Sequence, residues 1–90
     1  MSIAIIYAPV FVRQFRKLKK NLQDEVVKKI ELFKDMNNHE ALNVYKLNGR
    51  FKKSYGFWID HKNRIVFDWI SGNEAALLMV GDHDIYKKRR

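Results

Sequence analysis

The sequence predicts an α+β fold. An N-terminal strand leads into an antiparallel helical hairpin, which packs on one face of a mainly antiparallel sheet of about four strands. Three observations point there. β-Branched residues crowd positions 2–8, just ahead of Pro9. Two apolar stripes at helical spacing follow, Phe11, Phe15, Leu18 and Leu22, then Val26, Ile30 and Phe33. From Val44 onward, period-two segments alternate with turn-forming residues.

Residues 2–8 read as a strand. Pro9 fits the first turn of a helix, where its missing N–H costs nothing. Arg13, Arg16, Lys17, Lys19 and Lys20 fill the polar positions around the first stripe. Asn21 is the expected cap of the second helix, with Asp24 and Glu25 in its first turn against the dipole. Its stripe runs on to Met36 or Asn37. The short link between the helices calls for a tight antiparallel hairpin. Residues 37–40 form a polar break in which His39 is expected to face solvent. Residues 44–47 are a short strand, closed by the Asn48-Gly49 turn signal. Strands at 51–60, 64–70 and 75–80 follow, separated by turns at 60–63 and 71–74.

Period-two arithmetic sorts the faces. Ile65, Phe67 and Trp69 share one face with Phe51, Tyr55, Phe57 and Ile59, the better core. Lys52, Ser54, Gly56, Trp58 and Asp60 point the other way, with Arg64, Val66, Asp68 and Ile70. A one-residue slip would exchange the two sets.

Ninety residues make one domain, spanning 1–90. With 47% apolar and 13% aromatic residues the core needs no staple. There is no cysteine, so no disulfide framework and no zinc–thiolate site, and a reducing cytoplasm suits the chain. No apolar run approaches the roughly 20 residues that span a bilayer, and no membrane partner is expected. The apolar N-terminus has no basic leader and reads as a strand rather than a signal peptide. Lys and Arg number 18 against 10 Asp and Glu, for a net charge of +8. This balance points to nucleic acid, an anionic surface or an acidic protein partner.

The open face suits a single-stranded polyanion. Arg64 is placed either for a phosphate or for a salt bridge to Asp60 or Asp68. Trp58 either stacks an unpaired base, worth roughly 1–3 kcal/mol, or packs at the sheet edge. Lys52 and Lys53 either bind phosphate or sit in a solvated turn. His61 lies at the rim of the face or is an ordinary turn residue. His83 stands between Asp82 and Asp84, and a neighbouring carboxylate helps fix an imidazole tautomer. No metal-ligand spacing, phosphate-cradling glycine loop or Gly-x-Ser-x-Gly elbow is present, so no cofactor is expected. RNA cleavage through the 2′-hydroxyl needs a base, cations for the phosphorane charge and an acid for the leaving oxygen. His83, Arg64, Lys52 and Tyr86 supply those parts without a metal.

The order of motifs carries more than any one of them. A helical hairpin is followed by Lys46-Leu47-Asn48-Gly49, then Asn63-Arg64-Ile65-Val66-Phe67, then Val80-Gly81-Asp82-His83-Asp84-Ile85-Tyr86. In order, spacing and length this resembles the RelE/ParE toxin superfamily of bacterial type II toxin–antitoxin modules, over nearly the whole chain. The resemblance implies a toxin neutralised by a cognate antitoxin. In the RelE-like branch it implies a metal-independent endoribonuclease that cleaves mRNA, at the ribosome or free, and arrests translation. Arg64 matches the arginine that opens a strand ahead of an aliphatic pair and an aromatic, with transition-state charge as its role. His83 matches a histidine used for acid–base work. Tyr86 matches the terminal tyrosine, which orients substrate or transfers a proton. Lys52 and Lys53 match the basic residues after the turn in kind. The stretch 54–58 carries no charge where ribonuclease members often have Arg or Glu, and Asp68 stands where a neutral residue is usual. The alternative is therefore a ParE-like inhibitor of DNA gyrase without nuclease activity, or a catalytically inactive relative.

Overall fold

The structure, a computed structural model, describes residues 2–48 and 53–82. Its elements in chain order are β1 (Ala4–Tyr7), α1 (Pro9–Arg16), α2 (Lys20–Phe33), a 3-10 turn (Met36–Asn38), β2 (Tyr45–Lys46), β3 (Tyr55–Trp58), β4 (Arg64–Ser71) and β5 (Glu74–Gly81). They form one sheet of order β1-β5-β4-β3-β2. The β2–β3, β3–β4 and β4–β5 pairs are antiparallel, whereas β1 lies parallel to β5. The sheet is thus mixed and has five strands rather than about four. The helices carry the chain from the β1 edge across to the β2 edge, and three antiparallel turns bring it back beside β1.

Pro9 opens α1 as the sequence suggests, behind an extended Ala8. The second helix starts earlier than expected. Its N-cap is Lys19, which makes no side-chain cap, and Asn21 lies inside the first turn. Residues 17–19 are enough to turn the chain, because the amides of Leu22 and Gln23 already close on the Lys19 carbonyl. Asp24 and Glu25 therefore fall past the first turn. They pair with Lys20 at 2.9 Å and Lys29 at 2.7 Å. Exposed helix pairs of this kind contribute about 0.2–0.5 kcal/mol each.

Both helices turn their apolar stripes to the same face of the sheet. Phe11, Val26, Ile30 and Phe33 join Phe57, Ile59, Ile65, Phe67, Ala75, Leu77 and Val80 in one core. Phe33 is its centre. Its ring stacks on Phe57 at 4.6 Å and meets Phe67 edge-on at 4.8 Å. Met36 is 55% exposed, so the stripe of α2 ends at Phe33. His39 is not a solvent-facing loop residue. Its ring stacks on Phe33 at 4.6 Å, and its Nε2–H donates to the Phe33 carbonyl at 2.8 Å, satisfying a helix-end acceptor.

The opposite face also has an apolar floor. Val66 is fully buried there with Leu47, and Tyr45, Leu78 and Met79 pack around them. Leu78 is an extra residue on β5, since Val66 faces Met79 while Phe67 faces Leu77. This bulge explains why the core residues of β5 run 75, 77, 80 rather than in strict alternation. No helix among the described residues is long and apolar enough to cross a membrane.

Candidate functional site

The register turns the second face of the sheet into three rows. Trp58, Arg64 and Gly81 are direct cross-strand partners in the first. Tyr45, Gly56, Val66 and Met79 make the second. In the third, Asp68 lies opposite Ala76 and accepts a 2.6 Å hydrogen bond from the Ser54 hydroxyl. The sorting of Ser54, Gly56, Trp58, Arg64, Val66 and Asp68 to one face is thus what the alternation predicts. What it does not predict is how closed the middle row is.

Arg64 dominates the first row. Its Cζ lies 4.5 Å from the centroid of the Trp58 ring. Its Nη1 is buried and makes no hydrogen bond among the described residues. The ion pairs among the described residues are all between side chains of α2 or its C-terminal end, and none involves Arg64. Neither carboxylate considered as its partner takes that place. Asp68 holds Ser54. Asp60 is occupied by its own turn, accepting from the amides of Lys62 at 2.9 Å and Asn63 at 2.8 Å and from the Asn63 side chain at 3.0 Å. Burial disfavours the charged form of Asp60, but these hydrogen bonds, helped by His61, outweigh it and hold the carboxyl below its ordinary value. A guanidinium stacked on an indole and paired with no carboxylate among the described residues keeps its charge and its outer N–H donors for an anion.

The other expected site residues divide by position. His61 is exposed in the turn that joins Trp58 to Arg64, at the same end of the sheet. Lys53 is also exposed, but it precedes β3, five residues from Trp58. At about 3.3 Å per residue that is ~16 Å from the Arg64 row, on the Ser54–Asp68 side. Lys52, His83 and Tyr86 lie outside the described residues. Among the described residues no three His, Asp or Glu side chains converge where a metal ion could bind.

Two features of the face were not singled out from the sequence. The Tyr45 ring covers Gly56 so closely that a methyl group added there would lie 3.2 Å from Cζ and Oη of the ring and 3.3 Å from the Ile65 carbonyl. The Ser54–Asp68 contact is the second. The signal for both was a Tyr facing a Gly and a Ser facing an Asp across strands, which is visible only once the register is fixed.

No protein-family model matches the sequence, and neither does any curated protein. Solved structures do match along nearly the whole chain. YafQ from E. coli superimposes with a TM-score of 0.74 at 11% identity, covering 96% of this chain and 99% of its own. A chain of the toxin–antitoxin complex RelBE2 from Mycobacterium tuberculosis gives 0.72 at 13% identity, over 92% of this chain and 100% of its own. The YoeB–YefM complex from Staphylococcus aureus gives 0.70 at 15% identity, over 92% and 99%. At such identity the common property is the path of the backbone: this chain has the RelE/ParE toxin fold.

Proposed function

We propose that this protein is the toxin of a bacterial toxin–antitoxin pair and that it cleaves mRNA, with a cognate antitoxin as its protein partner. The observation that carries the reading is Arg64: a stacked guanidinium with a buried, unsatisfied Nη1 and no carboxylate partner among the described residues. A net charge of +8 favours approach of a polyanion.

In this reading a base removes the 2′-hydroxyl proton, the 2′-oxygen attacks the adjacent phosphorus, and the bond from phosphorus to the 5′-oxygen breaks as that oxygen takes up a proton. Arg64 neutralises the charge that builds on the phosphorane. His83 does the acid–base work and Tyr86 orients the substrate or relays the proton. Gly81 lies directly across from Arg64. Lys52, Lys53 and His61 take flanking phosphates.

The test is expression in growing cells. Arg64→Ala is expected to abolish growth arrest and mRNA cleavage, and a fully toxic variant overturns the assignment. A second reading is favoured by the carboxylate of Asp68 on this face and by the uncharged stretch 54–58: a ParE-like toxin that inhibits DNA gyrase. DNA damage with intact mRNA after induction would select it.

A further inference from the structure

We infer that Asp68, held by Ser54, is a specificity-determining residue that selects an amino-bearing nucleobase over uracil on the strand whose phosphate Arg64 binds. The inference rests on the RNA-binding reading and adds a recognition element to it.

Arg64 and Asp68 lie on one strand, four residues apart, on the same face. At about 3.3 Å per residue their backbones are ~13 Å apart, and no ion pair joins them. Asp68 therefore does not pair with Arg64, and the face is polar in a directional sense, with a cation at one end and a carboxylate at the other. Between them lies the row of Tyr45, Gly56, Val66 and Met79. Gly56 contributes no side chain to it, so the Tyr45 ring lies down against the sheet and the row is a low apolar shelf. A short single strand laid along this face would place a phosphate at Arg64, a sugar or base over the shelf, and the next base edge at Asp68.

The chemistry at Asp68 is one-sided. A carboxylate only accepts hydrogen bonds. The 2.6 Å bond from the Ser54 hydroxyl occupies one oxygen and fixes the group's orientation. Among the described residues the other oxygen has no hydrogen bond, and the residue is only partly buried. Such a group takes the exocyclic amino group of guanine, cytosine or adenine. Uracil offers one ring N–H between two carbonyls, which face the carboxylate with like charge.

The experiment is binding of the full chain to labelled homopolymeric RNA hexamers by fluorescence anisotropy, for wild type, Arg64→Ala, Asp68→Asn and Ser54→Ala. Wild type is expected to bind the uracil hexamer at least about fivefold more weakly than the best of the others, in line with one good base contact. Asp68→Asn keeps the shape and adds an amide donor, so it should erase or reverse that ratio. Ser54→Ala frees the carboxylate to rotate and should narrow the ratio, which keeps the inference testable if Asp68→Asn does not fold. RNA binding that depends on Arg64 but shows no base preference, or a preference untouched by the folded Asp68 and Ser54 variants, overturns the inference and leaves the RNA reading standing. No RNA binding by wild type overturns both.

Discussion

Arg64 lies across the indole of Trp58, its direct cross-strand partner, with Cζ 4.5 Å from the ring centroid. One face of the indole is thus taken by the guanidinium, which makes Trp58 a support for Arg64 before it is a platform for a base. Such a stack is worth about 0.5–2 kcal/mol. Trp58→Ala is therefore expected to weaken RNA hexamer binding about 2- to 30-fold, and Trp58→Phe to keep most of it. Equal affinities for all three proteins in an anisotropy titration would show that the stack does not position Arg64.

A site residue that is poorly satisfied in the free protein should be dispensable for folding. Leaving the Arg64 Nη1–H buried without an acceptor costs about 1–3 kcal/mol, against a stacking gain of similar size. Arg64→Leu should leave the free energy of urea unfolding unchanged or raise it by up to ~1 kcal/mol while abolishing growth arrest, the usual trade between stability and function. A loss of more than ~1 kcal/mol would make Arg64 a structural residue.

The fold was legible because its signals were local and redundant. Phe11, Val26, Ile30 and Phe33 fixed two helix faces by spacing alone, and Ile65, Phe67 and Phe57 fixed the core side of the sheet. What escaped was set by tertiary contact. Nothing near Ala4 in the chain says that it will pair parallel with Glu74. The bulge at Leu78 follows from the fit of β5 on β4, not from its own composition. His39 looked like a polar loop residue because the ring that covers it, Phe33, lies six residues back at the end of a helix. In the site, alternation placed Arg64, Trp58, Ser54 and Asp68 on one face, but which carboxylate held which partner depended on cross-strand neighbours. Asp68 went to Ser54, and Arg64 was left with Trp58.

Gln14 shows the same dependence in a form that can be measured. Its Oε1 accepts the backbone N–H of Val80 at 2.8 Å, tying α1 to β5 just past the bulge. β1 pairs with β5 only as far as Leu77, and beyond that point the helix supplies an acceptor for this N–H. Gln14→Leu should cost ~1–3 kcal/mol in urea unfolding by stranding a partly buried donor. Gln14→Glu, which keeps an acceptor at that reach, should cost less. Equal losses would mean that packing, not the hydrogen bond, is what Gln14 contributes.

The turn at Asp60 predicts a pH dependence with a definite sign. Burial opposes the charged carboxylate, but the amides of Asn63 and Lys62, the Asn63 side chain and His61 prevail and make it more acidic than usual. The folded state then binds fewer protons than the unfolded state on the acid side. Its contribution to stability is complete above the unfolded value of about 3.9 and disappears as pH falls through the lower folded value. The turn joins Trp58 to Arg64, so its loosening reaches the site. Asp60→Asn retains a hydrogen-bond acceptor without the charge. Wild type should be more stable than this variant at pH 7, and the two unfolding curves should converge as pH drops below about 4. A difference that stays constant from pH 7 to pH 3 would show that the charge of Asp60 plays no part in holding the turn.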